Sequence, residues 1–190
     1  MGIDESYPDA PANRRRRTFV ATGLATLGLL IAAPRAVQAM TPAKPRRLGF
    51  ENLHTGERLD VAYWAEGRLQ PDALGSIEWT LRDHRNNATH PIDSQLLDLL
   101  FALQLQLGVV RPYQVISGFR SPETNAMLAS LSDGVARHSL HTQGMAIDIR
   151  VEGVPLERLR DAAKSLRAGG VGYYPRSDFV HTDVGRVRYW

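Results

Sequence analysis

The chain has 190 residues, 43% of them apolar and 23% charged, which suffices for one packed domain and is too apolar for wholesale disorder. It has no cysteine, so disulfide frameworks, thiolate metal sites and cysteine nucleophiles are excluded together. The net charge of +3 belongs mostly to the first 39 residues, where five arginines face three acids; residues 40–190 are nearly neutral, and no nucleic-acid partner is expected.

In chain order, Arg14 to Arg17 precede Val20 to Ala33, an uncharged run of fourteen residues. That is short of the roughly 20 residues a bilayer crossing needs, and it suits the apolar region of a signal peptide. Arg16-Arg17-Thr18-Phe19-Val20 reads as a twin-arginine export signal, an address for the twin-arginine machinery and not an anchor. The small residues Val37-Gln38-Ala39 place cleavage after Ala39, giving a periplasmic protein without a stable membrane anchor; an uncleaved N-terminal anchor is the competing reading. Residues 1–39 are thus assigned as signal peptide, 40–47 as a Pro-rich basic tether and 48–190 as the folded domain.

Leu48 to Phe50 and Leu59 to Tyr63 alternate with polar residues around His54-Thr55-Gly56-Glu57, which predicts a β-hairpin. Helices are expected from Pro71 to about His84, from Ser94 to Leu107 with a cap at Asp93 or Ser94 and a stop at Gly108, from Ser121-Pro122 onward, and from Pro155 to Arg167. Short strands are expected at Gln114 to Ile116, Ala146 to Val151 and Phe179 to Val184. This interleaving without a repeat predicts a single α+β domain: a small, mostly antiparallel sheet flanked by about four helices.

Chemistry concentrates in two segments. Ser139 to Asp148 carries His141 in a Gly-containing turn and Asp148 within the apolar strand Ala146-Ile147-Asp148-Ile149. A carboxylate there is costly to bury without a cation or metal beside it. Alternation puts His181 and Asp183 on one face of the second strand; if the strands pair, Asp148 and His181 enter one space, with His141 closing it from the turn. Two histidines and one carboxylate are a common zinc donor set with a position left for water. The competing reading pairs Asp148 with Arg120 or Arg150 and leaves His181 a hydrogen-bonded core histidine.

Ser117-Gly118-Phe119-Arg120-Ser121, the S-x-H-x-x-G-x-A-x-D stretch from Ser139 to Asp148 and the strand-borne His181 resemble the zinc peptidases that include D-alanyl-D-alanine carboxypeptidases and the Hedgehog signalling domain. The segments His54-Thr55-Gly56-Glu57, Leu81-Arg82-Asp83-His84, Gly169 to Tyr174 and Phe179 to Trp190 resemble the murein endopeptidase K branch more closely, over about Leu48 to Trp190. The resemblance implies Zn2+ on His141, Asp148 and His181, on the sheet and its adjoining loop. It also implies hydrolysis of the peptide cross-links of peptidoglycan, D-Ala–mDAP or mDAP–mDAP.

The same resemblance implies roles for neighbours. Arg120 matches an arginine near the substrate carbonyl or carboxylate, where its planar fork would clamp oxygen; a structural salt bridge is the alternative. Asp178 occupies the place where carboxypeptidase relatives carry a catalytic Glu, but it is one methylene shorter; its competing role is a loop cap. His138 and Asp183 are the substitutes, the latter able to hold a ligand histidine's free N–H. Ser139 orients the loop or touches substrate and, lacking a Gly-x-Ser-x-Gly elbow, is not a nucleophile. Tyr173 and Tyr174 line the cleft or pack in the core. His54, His84 and His90 read as hairpin, helix and loop residues. The functional alternative is a non-catalytic, metal-containing peptidoglycan-binding or scaffolding module, which a site lacking a competent base would indicate.

Overall fold

One eight-stranded sheet organises the computed structural model, which describes residues 44–131 and 136–190. The strands are β1 (Arg46–Asn52), β2 (Arg58–Ala65), β3 (Arg68–Leu69), β4 (Tyr113–Ser117), β5 (Ala146–Val151), β6 (Gly170–Tyr174), β7 (Phe179–Asp183) and β8 (Arg188–Tyr189). They lie in the order β3-β2-β1-β4-β5-β7-β6-β8. The helices are α1 (Pro71–Thr80), α2 (Ser94–Leu107), α3 (Pro122–Leu131) and α4 (Leu156–Leu166), with a 3-10 turn at Leu140–Gln143. No helix among the described residues is long and apolar enough to cross a membrane.

The α+β class and the four helices are as expected, but the sheet is mixed and not mostly antiparallel. β1 runs parallel to β4 and β6 parallel to β8, because each pair is joined through elements lying between them in the chain. Strands β3, β6 and β8 were not expected. β6 hides behind its glycines, which carry low strand propensity but are required by close approaches: a Cβ on Gly170 would lie 2.5 Å from Asp183 Oδ2. β1 begins at Arg46, inside the stretch assigned to the tether, and Arg47 pairs with Asp60 across the hairpin. The proposed signal peptide and residues 40–43 of the tether lie outside the described residues.

Local chemistry sets the other boundaries. Asp93 caps α2 by accepting from Gln95 N at 2.8 Å, and Gly108, at φ 66°, closes it. The first helix stops at Thr80 and not near His84, because the Asp83 carboxylate takes the N–H groups of Arg85 and Ser121, both at 3.0 Å, and its own N–H bonds Ala88 O. The helix expected to run to Arg167 ends at Leu166, where Arg167 itself turns left-handed at φ 51°.

Alternation divides the sheet. Leu48, Phe50, Tyr113, Val115, Ile147 and Ile149 are buried with the α2 leucines, each burial contributing about 1.5–3 kcal/mol. The opposite face carries Glu51, Gln114, Asp148 and His181, and its register sets Asp148 beside both Ser117 and His181.

Candidate metal centre

The pairing Asp148↔His181 between β5 and β7 brings a carboxylate and an imidazole to one face of adjacent strands. The 3-10 turn delivers the third group: Ser139 Oγ accepts from His141 N at 3.3 Å, and Gly144, at φ 66°, ends the turn. All three side chains are buried.

Their donor atoms converge. His181 Nδ1 lies 2.9 Å from Asp148 Oδ1 and 3.2 Å from His141 Nε2, and His141 Nε2 lies 3.3 Å from Asp148 Oδ1. Tetrahedral zinc with ligands at about 2.0–2.1 Å separates its donors by about 3.3 Å, so the donor set and its spacing fit such a metal.

The outer nitrogens are fixed by acceptors. His141 Nδ1 meets the carbonyl of Gly118 at 2.8 Å; a carbonyl only accepts, so Nδ1 carries the hydrogen and Nε2 faces inward. His181 Nε2 meets Asp183 Oδ2 at 2.9 Å, which likewise leaves Nδ1 inward. Asp183 is itself saturated: Gly170 N and Gly185 N donate at 2.9 and 2.8 Å, and Arg188 Nη2 donates at 2.7 Å. Such outer partners orient metal-binding imidazoles.

The electrostatics of the trio without metal follow from this packing. Burial opposes charge on His181, but its hydrogen bonds to Asp148 and Asp183 outweigh that and raise its pKa to about 9. Burial likewise opposes charge on Asp148, yet His141 and then His181 hold it far below the usual carboxylate range. Asp183 is also depressed, its burial being overcome by His181, Arg188 and two backbone N–H groups.

These groups form part of the wall of an open cavity of about 590 Å³, with Arg120, His138, Ser139, Tyr174, Phe179 and Trp190 also lining it. Arg120 donates to Ser117 Oγ and Asn125 Oδ1, each at 3.3 Å, and stands 3.9 Å from Asp148 Oδ2; its buried Nε has no partner. Arg120 therefore approaches the carboxylate from the cavity wall without forming a close pair. Arg150 donates elsewhere.

Two expectations are corrected. Asp178, at φ 54°, directs its carboxylate to Arg150 Nη1 at 2.6 Å and does not line the cavity, although its neighbours Ser177 and Phe179 do. Tyr173 points to the opposite face of β6, where its hydroxyl donates to Glu157 Oε1 and Arg160 covers its ring; alternation gives the cavity to Tyr174 instead. Arg188, Trp190 and the Gly118 carbonyl escaped the sequence reading. Alternation along residues 170–174, opposite His181, is the signal that separates Tyr174 from Tyr173. Outside the trio, His54 and His84 stack at 3.8 Å between centroids, while His90 stacks on Phe119.

The family model described as "Peptidoglycan L,D-endopeptidase MepK" matches residues 40–190. The peptidoglycan L,D-endopeptidase MepK of Escherichia coli strain K12 is 44% identical over 180 residues, covering 94% of this chain and 97% of that protein. The probable peptidoglycan L,D-endopeptidase MepK of Haemophilus influenzae is 42% identical over 181 residues, covering 94% and 96%. No solved structure matches the chain.

Proposed function

Because the chain belongs to the family of the peptidoglycan L,D-endopeptidase MepK, we propose that it is a metallopeptidase that hydrolyses peptide cross-links of peptidoglycan during cell wall remodelling, with Zn2+ as its metal. The observation that carries this reading is the convergence of His141 Nε2, Asp148 Oδ1 and His181 Nδ1 at the wall of an open cavity. When bound, zinc supplies a Lewis acid for the scissile carbonyl and a water activated near neutral pH.

The chain's own residues do the rest. Asp183 and the Gly118 carbonyl hold the two imidazoles in their ligating orientation. Arg120 lines the cavity, and its guanidinium offers donors to a substrate oxygen. A hydrolysis must also move a proton from water to the leaving amine. With Asp178 engaged by Arg150, His138 takes this role: it lines the cavity, and an imidazole has a nitrogen that can accept a proton and return it. The presence of this acceptor favours hydrolysis over a purely binding module.

The relatives' names specify an L,D bond. A D-Ala–mDAP link joins two D-centres, whereas an mDAP–mDAP link runs from an L-centre carboxyl to a D-centre amine, so the latter is the proposed substrate. The twin-arginine leader, cleaved after Ala39, would bring the protein to the periplasm, where this polymer lies. Incubating the metal-loaded full chain with both kinds of muropeptide dimer tests the assignment. The mDAP–mDAP dimer should be consumed, and selective loss of the D-Ala–mDAP dimer would reverse the choice of bond.

A further inference from the structure

Tyr174 and Trp190 line the cavity together, and their contacts leave a hydrogen-bond donor with nothing to donate to. On β6, Gly170, Gly172 and Tyr174 share the face that carries the metal centre, and Gly172 stands opposite His181 in the β6–β7 register. Gly172 leaves room there: a Cβ would come within 2.7 Å of the Trp190 indole. The ring therefore lies over Gly172, with its centroid 5.2 Å from that of His181. Trp190 is fixed along its backbone, since its N–H bonds Val171 O at 3.2 Å and its carbonyl accepts from Tyr173 N at 3.0 Å. Arg188 covers the ring at 4.9 Å.

From this position Trp190 Nε1 reaches Tyr174 Oη at 2.7 Å. An indole N–H can only donate, so the phenol oxygen is the acceptor and its own hydrogen is left to point elsewhere. Among the described residues, Tyr174 Oη has no acceptor within hydrogen-bond distance. Stacking on Phe179, at 4.6 Å between centroids, fixes the phenol ring at the cavity wall. A donor held by a rigid neighbour and left unspent in a cavity is prepared for an oxygen that arrives with a ligand.

We propose that Tyr174 binds substrate, its hydroxyl donating to an oxygen of the cross-link peptide in the bound complex, and that Trp190 is the positioning residue that orients this hydroxyl. The proposal rests on the reading of the cavity as a peptide-binding site. It assigns Tyr174 to affinity and not to stabilisation of the reacting centre.

The test measures the dissociation constant of the mDAP–mDAP muropeptide dimer by calorimetry on the metal-free full chain, and kcat and KM on the metal-loaded chain. Tyr174→Phe should weaken binding and raise KM about tenfold while kcat stays within about twofold, as expected for one lost hydrogen bond. Trp190→Phe keeps an aromatic ring over Gly172 but removes the N–H donor. It should weaken binding by a smaller factor in the wild-type background and have no further effect beside Tyr174→Phe, a non-additivity that a merely structural role would not produce. Unchanged affinity in Tyr174→Phe, a fall in kcat alone, or full additivity of the pair would overturn the proposal. Absence of any dimer binding by the wild type would overturn it as well. Wild-type binding without cleavage that still depends on Tyr174 would support the proposal and reject the endopeptidase reading.

Discussion

Asp183 stands directly behind His181, its Oδ2 accepting from Nε2 at 2.9 Å, so that Nδ1 is presented to Asp148 and His141. The relationship depends on position in the strand: residues two apart on β7 share a face, and Gly170 on the neighbouring strand lacks the Cβ that would occupy the carboxylate's place. Arg188 and the N–H groups of Gly170 and Gly185 then hold Asp183 as an anion.

Removing that anion should loosen the metal. Asp183→Asn, measured by competition with a chromogenic chelator, is expected to lower zinc affinity by about 10- to 100-fold while one zinc per chain still binds at saturation. Affinity equal to wild type would show that Asp183 only supports the loop around Gly185.

Metal binding should depend on pH in a definite direction. Below about pH 9 the metal-free His181 is an imidazolium shared between Asp148 and Asp183, and ligation requires a free Nδ1. Binding therefore expels about one proton, and apparent affinity should fall about tenfold per pH unit as pH drops from 9 towards 7. Above about pH 9 this dependence should flatten. Titrations in buffers of different ionisation enthalpy would report the released proton.

The proton-transfer assignment separates two side chains that the sequence left as alternatives. Asp178→Asn should leave kcat within about twofold, because that carboxylate is engaged by Arg150 outside the cavity. His138→Ala should lower kcat by about 100-fold or more with zinc content unchanged. The reverse pattern in the steady-state rates would return the role to Asp178.

Gly172→Ala places a methyl 2.7 Å from the Trp190 indole, and one of the two must move. The expected cost is about 1–3 kcal/mol in a denaturant titration, together with loss of the ordered wall beside His181. A variant as stable as wild type, with dimer affinity retained, would mean that Trp190 does not need to lie flat on β6.

Much of the centre was legible in the sequence because its signals are local. The alternation Ala146-Ile147-Asp148-Ile149 isolates a carboxylate in an apolar strand, and the same period places His181 with Asp183. The long-range partners were not legible. Arg188 meets Asp183 only because β8 lies parallel to β6, and the Gly118 carbonyl meets His141 across 23 positions of chain. Tyr173 and Tyr174 could not be told apart while β6 went unrecognised: glycine lowers strand propensity whatever its reason for being there, and at positions 170 and 172 the reasons are Asp183 and Trp190. The spacing of Asp178 from His181 does not reveal the left-handed backbone, at φ 54°, of a residue whose carboxylate meets Arg150.

The most direct test of the metal-dependent endopeptidase is release of monomers from mDAP–mDAP muropeptide dimers by the full chain, before chelation, after it and after zinc is restored. Cleavage should be lost on chelation, recovered with one equivalent of zinc, and absent from His181→Ala at every stage. Cleavage that persists in the chelated protein, or in a folded His181→Ala variant free of metal, would contradict it.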